Sequence, residues 1–86
     1  MILIINTSGA GLEFVLGDRY AHVDAEKQSV ALPAAVEQFL GECGVTWRDL
    51  TAIGVVVGPG SFTGIRLGIA YAKGLAMGLN IPVVPI

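Results

Sequence analysis

The sequence predicts an α/β fold, a mixed β-sheet carrying helices on its faces. Three observations carry this. Unbroken apolar runs at Met1–Ile5 and Ile53–Val57 suit strands covered on both faces. Two short apolar segments, Leu12–Leu16 and Tyr20–Val23, flank a Gly17-Asp18 pair, which marks a hairpin. Two longer segments repeat apolar residues at intervals of three and four, the period of a helix.

The elements follow in order. After the first strand, Asn6-Thr7-Ser8-Gly9-Ala10-Gly11 reads as a turn. The hairpin strands then complete an antiparallel meander of three. Asp24–Gln28 is a polar connection, and Ser29 is placed to cap the helix that follows. Pro33 falls near its first turn, where a missing N–H is tolerated. Leu32, Val36, Phe39, Leu40 and Cys43 make its apolar stripe, and Gly44 stops it. Thr46-Trp47-Arg48-Asp49 resembles a capping box on a single turn. The strand Ile53–Val57 leads into a glycine loop, Gly58 to Gly64, and a helix over Phe62–Leu79 that Asn80 can terminate. Ile81–Ile86 begins a last strand, punctuated by Pro82 and Pro85. The order β-β-β-α-β-α-β is that of a ribonuclease H-like domain, the building block of the actin-like ATPase superfamily. Residues 1–86 make one such domain. The chain stops in mid-strand with no polar tail, which leaves two expectations open, a truncated chain or a natural end.

Composition narrows the function. Hydrophobic residues are 53% of the chain and charged residues 14%, against about 25% charged in average globular chains. A body this small has too little interior for so much apolar surface, so some of it is expected to meet a partner. Arg19, Lys27, Arg48, Arg66 and Lys73 are scattered and the net charge is −2, which argues against nucleic-acid binding by this chain alone. A single cysteine, Cys43, excludes an internal disulfide. The N-terminus lacks the pattern of a signal peptide. Arg66 and Lys73 interrupt the apolar stretch 62–79, so no membrane span is expected.

The loop Gly58, Pro59, Gly60, Ser61, Phe62, Thr63 invites a phosphate cradle. A P-loop requires Lys where Ile65 stands, and G-x-G-x-x-G fails at Thr63. The nucleophile elbow G-x-S-x-G is out of frame. Two readings remain. The helix N-terminus could bind an anion, or the loop is a tight connection in which Ser61 or Thr63 caps and Phe62 plugs the core. The helix beyond is more telling. Gly64, Gly68, Ala72 and Ala76 recur at every fourth position, a ridge without side chains. Helix-interior glycines cost about 0.8–1 kcal/mol each against alanine, so Gly64, Gly68, Gly74 and Gly78 together cost roughly 3–4 kcal/mol. Close helix–helix or helix–sheet approach can offset this: one side of the helix is expected to meet the sheet and the other the first helix or another protein, and the leading expectation is that the bare ridge leaves room for another subunit. Leu32, Val36 and Phe39 of the first helix and Ile69, Arg66 and Lys73 of the second join it as interface candidates. Arg66 and Lys73, seven apart, lie on one helical face.

Other residues tempt less. His22 has no Cys or His neighbour in sequence, so a metal site is not expected. Glu13, Asp24 and Glu26 are too scattered for an acid–base pair. Cys43 reads as a small core residue and Trp47 as packing under the connector.

The stretch "GPGSFTGIRLGIAYAKGLA", preceded by "IGVVV" and followed by "GLNIPVV", resembles the signature of the TsaB family, also called YeaZ. "MILIINTS", "LPAAVEQFL" and the following W-x-x-L-T-A-I are similar to that family's start, first helix and connector. The resemblance covers nearly the whole chain and corresponds to the N-terminal half of two-domain proteins. It implies a cytoplasmic, non-catalytic subunit without cofactor. Such a subunit pairs with a TsaD-type paralogue and a TsaE-type ATPase to install threonylcarbamoyl on adenosine beside the tRNA anticodon. Homodimers in isolation, contact through the two helices and only indirect contact with tRNA are implied as well. Asn6 stands where the family has an acidic residue that holds metal and phosphate in actin-like ATPases. Lys27 replaces a usual His. The competing reading is a small actin-fold ATP-binding enzyme or phosphotransferase using the turns 6–11 and 58–64. A glycoprotease finds no catalytic dyad or metal cluster here.

Overall fold

A computed structural model describes all residues from 1 to 86. Strands β1 (Ile2–Asn6), β2 (Leu12–Leu16) and β3 (Arg19–Val23) are followed by α1 (Gln28–Cys43) and a 3-10 turn at Trp47–Asp49. Then come β4 (Ala52–Val55), α2 (Phe62–Leu79) and β5 (Val83–Pro85). The five strands form one sheet in the order β3-β2-β1-β4-β5. β1, β2 and β3 pair antiparallel, while β1–β4 and β4–β5 pair parallel. This is the mixed sheet the element order predicts.

The strand period of two sorts the side chains. Leu3, Ile5, Leu12, Phe14, Leu16, Ile53 and Val55 point to one face and are buried. Both helices pack there, α1 on β2 and β3, α2 on β4, β1 and β5. Leu32, Val36, Phe39 and Leu40 of α1 and Ala72 and Ala76 of α2 complete one core cluster. The Phe14 and Phe39 rings meet with centroids 5.6 Å apart. The opposite face carries Ile2, Ile4, Val15, Gly54, Val84 and Ile86 and no helix. The expectation that an apolar run means a strand covered on both faces therefore fails for Met1–Ile5 and holds for the part of Ile53–Val57 that lies in β4. In β1 burial alternates, and only β4 is buried throughout.

Local chemistry sets the ends. Gly17 at φ 62° turns the β2–β3 hairpin, and Gly44 at φ 69° and Asn80 at φ 58° close the two helices in the left-handed region. Ser29 does not cap α1. The helix starts one residue earlier, Lys27 holds the N-cap position and no side chain caps it. Pro33 then lies in the second turn, where it forgoes one i→i−4 bond. In the short turn, the Asp49 carboxylate accepts from the Thr46 N–H at 2.9 Å and from its hydroxyl at 3.1 Å. These bonds favour the charged form and hold Asp49 below its usual 3.8. β4 ends at Val55 rather than Val57, and β5 starts at Val83. There Pro82, which cannot donate, accepts from the Ile53 N–H at 3.0 Å. No helix is long and apolar enough to cross a membrane.

Candidate functional site

The 7–11 turn, the opening of α1 and the opening of α2 converge at one end of the sheet. Thr7, the one fully buried polar residue of the core, donates its hydroxyl to the Gly64 carbonyl. A Cβ on Gly64 would overlap the Thr7 carbonyl oxygen, and one on Gly68 would stand 2.5 Å from Thr7 Oγ1 and 3.4 Å from Val55 Cγ2. Gly64, Gly68, Ala72 and Ala76 are all buried against the chain's own sheet.

That corrects the interface reading of the small-residue ridge. Main chain leaving β1 passes directly under the first turns of α2, and only hydrogen fits between them. The close approach inferred from the glycines is real, but it is made within the chain. Leu32, Val36 and Phe39 are likewise core residues, 1%, 0% and 5% exposed, and are unavailable to a partner. Of the remaining candidates, Arg66 and Lys73 are exposed and Ile69 is half-buried.

The two glycine turns are seated on each other. Ser61 donates its N–H to the Ser8 carbonyl at 2.8 Å. Gly60, at φ 153°, would place a Cβ 2.6 Å from both the Cβ and the carbonyl oxygen of Ser8. The peptide between Gly58 and Pro59 is cis. Ser61 caps α2, its hydroxyl accepting from the Gly64 N–H at 3.2 Å. The capping reading of the loop holds for Ser61. Phe62 does not plug the core: it is 73% exposed, with the Arg66 guanidinium 5.4 Å from its ring centroid. Four residues apart on one helix, the two stack in solvent instead. Pro59, Gly60 and Thr63 are exposed as well.

Asn6 is occupied by its neighbours. Its amide donates to Glu13 at 3.1 Å, while its oxygen accepts from the Ser8 N–H at 2.9 Å and the Ser8 hydroxyl at 2.6 Å. The second Glu13 oxygen accepts from the Tyr20 hydroxyl, and this bond raises the Tyr20 pKa above 10. His22 pairs with Asp24 at 3.1 Å. No group of three or more His, Cys, Asp or Glu side chains converges. Cys43 is half-buried.

The molecule leaves free the outer faces of its helices and the helix-free face of its sheet. On α2, Phe62, Arg66, Ala70, Lys73 and Met77 form one exposed stripe, with Met77 82% exposed. On α1, Val30 is 74% exposed. Between the openings of the two helices lies a shallow groove lined by Gln28, Ser29, Thr63, Arg66 and Leu67. Farther along, Tyr71 is half-buried, and desolvation, with the charge of Glu37 on α1, lifts its pKa above 10. A second groove, of about 650 Å³, runs over the helix-free sheet face beside Met1, Ile2, Ile4, Val15, Val84 and Ile86. Sequence reasoning missed Thr7, Gln28, Val30 and Met77. For Met77 the signal was available, since it continues the Phe62–Arg66–Lys73 stripe at helical spacing.

The family model described as "TsaD: tRNA N6-adenosine threonylcarbamoyltransferase" matches residues 22–86. The TsaB protein of Bacillus subtilis, named for tRNA threonylcarbamoyladenosine biosynthesis, is 36% identical over 89 residues, covering 95% of this chain and 38% of its own length. A Clostridium perfringens tRNA N6-adenosine threonylcarbamoyltransferase is 42% identical over 62 residues, 72% of this chain and 18% of that protein. Among solved structures, YeaZ from Pseudomonas aeruginosa superposes with a TM-score of 0.82 at 30% identity, covering 99% of this chain and 42% of that one. The chain thus spans less than half the length of these relatives.

Proposed function

The chain belongs to the TsaB (YeaZ) family, and from that premise we propose that it serves tRNA threonylcarbamoyladenosine biosynthesis as a non-catalytic subunit. It pairs with a TsaD-type threonylcarbamoyltransferase through the outer faces of α1 and α2, and works in the cytoplasm with a TsaE-type ATPase. Contact with tRNA comes through the assembly. Alone, it forms homodimers with the same helices. In this reading, residues 1–86 act as one domain of a two-domain subunit.

The observation that carries the reading is the mutual packing of the two glycine turns. A phosphate cradle needs unpaired backbone N–H groups aimed at open space. Here the Ser61 N–H is bound to Ser8, that of Gly64 to the Ser61 side chain and that of Ile65 to the Ser61 carbonyl, while Phe62 and Thr63 keep unpaired N–H groups at the opening of α2. Asn6, where an ATPase would present a carboxylate, is held by Glu13 and Ser8. The exposed Phe62, Val30 and Met77 on the helices, by contrast, have the apolar character of an interface centre.

Sedimentation velocity on the chain, alone and with a TsaD-type transferase, tests this. A complex is expected, and Met77→Glu or Ala70→Glu should weaken it by about 2 kcal/mol or more, the scale of an interface hot spot. Both positions are exposed, so these variants should fold. Absence of a complex, or Mg²⁺-dependent ATP hydrolysis by the chain itself, would overturn the proposal.

A further inference from the structure

α1 and α2 lie side by side on the sheet and share one core cluster. Each packs on its own strands, and their opening turns flank a groove rather than interlock. No hydrogen bond joins the two openings to each other directly. The Gln28 side chain, on the first residue of α1, reaches into the β1–β2 turn. Its amide nitrogen donates to the carbonyls of Thr7 at 3.1 Å, Gly9 at 3.0 Å and Gly11 at 2.8 Å. Two amide hydrogens thus serve three acceptors, one of them shared. The other side-chain atom, Gln28 Oε1, faces α2, where a Cβ on Gly64 would lie 3.2 Å from it. Thr7 is bound to Gly64 in turn. Gln28 is therefore the one side chain that ties α1 to the loop on which α2 rests.

We propose that Gln28 is a positioning residue. It fixes how the opening turns of α1 and α2 sit relative to each other, and thereby shapes the surface that accepts a partner subunit. The proposal rests on the helix-face reading above. A glutamine suits the task because the loop offers only carbonyl acceptors, and an amide supplies two donors on one short stem. Glu at this position cannot donate when ionised, and would point a charge at three carbonyl oxygens.

The test compares Gln28→Glu and Gln28→Leu with Leu50→Val, a buried substitution remote from the junction that also lowers stability. Association with the transferase is titrated for each at a temperature where all are folded. The expected result is at least tenfold weaker association for both Gln28 variants and unchanged association for Leu50→Val. Amide hydrogen exchange should quicken in residues 7–11 and in the first turn of α2 for the Gln28 variants only. Gln28 variants that bind like wild type, or weaken no more than Leu50→Val, overturn the proposal, as does unchanged exchange at the junction. If the wild-type chain fails to associate, the helix-face reading is what falls, and the exchange measurement alone decides whether Gln28 fastens the junction.

Discussion

Four glycines of α2 should respond to alanine in opposite directions. At Gly74 and Gly78 a Cβ would meet nothing within 4 Å. Alanine there removes only the conformational penalty, so each variant should gain about 0.8–1 kcal/mol. At Gly64 the same methyl would overlap the Thr7 carbonyl oxygen, and at Gly68 it would sit 2.5 Å from Thr7 Oγ1. Overpacking costs about 1–3 kcal/mol, and disturbing the Thr7–Gly64 hydrogen bond costs about 1 more. Against the propensity gain, Gly64→Ala should lose about 1–3 kcal/mol net. The spread between Gly64→Ala and Gly74→Ala is then about 2–4 kcal/mol, and each kcal/mol shifts Tm by roughly 4–8 °C for a domain of this size. Urea denaturation of the two variants reads it directly. A Gly64→Ala protein as stable as Gly74→Ala would refute the placement of the ridge against the sheet.

Exposure predicts that Phe62→Ala will change stability by no more than about 0.5 kcal/mol, whereas Phe14→Ala in the core will lose about 3–5 kcal/mol; equal losses would mean that Phe62 is buried after all. Tyr71 keeps its proton above pH 10 in the fold while an unfolded tyrosine ionises near 10. The stability tied to it is complete below pH 10 and disappears as pH rises through the folded value. Phenolate absorbance should show late titration, and titration of every tyrosine at 10 would contradict the burial of that ring. Asp49 behaves inversely. Its folded pKa lies below 3.8, so its contribution persists above that pH and fades as pH falls through the folded value. Asp49→Asn should flatten this part of the acid limb in pH-dependent thermal unfolding, and an unaltered limb would count against the Thr46–Asp49 bonds.

Strands and helices were legible because each rule involved is local. The Leu12–Leu16 hairpin strand, the Phe62–Leu79 helix and the stops at Gly44 and Asn80 were each written in a few adjacent residues. The Gly64–Gly68–Ala72–Ala76 stripe announced close approach just as plainly. It could not announce to whom, since the partner, Thr7, lies more than fifty residues away in sequence and looks like an ordinary turn residue. Phe62 misled for a related reason. A large aromatic beside glycines suggests a plug, and only the path of the loop over Ser8 shows that the ring points outward. Gln28 carried no local signal, because its three acceptors are backbone carbonyls, which every sequence possesses.

β1 lies at the centre of the sheet, zipped to β2 on one side and to β4 on the other. Its second partner, starting with the pairing of Ile2 to Ala52, is made about fifty residues later. At a ribosome adding roughly 5–20 residues per second, the meander would stand for several seconds with one flank of β1 unsealed. Through that interval the nascent chain is most open to pairing with the wrong strand, its own or a neighbour's.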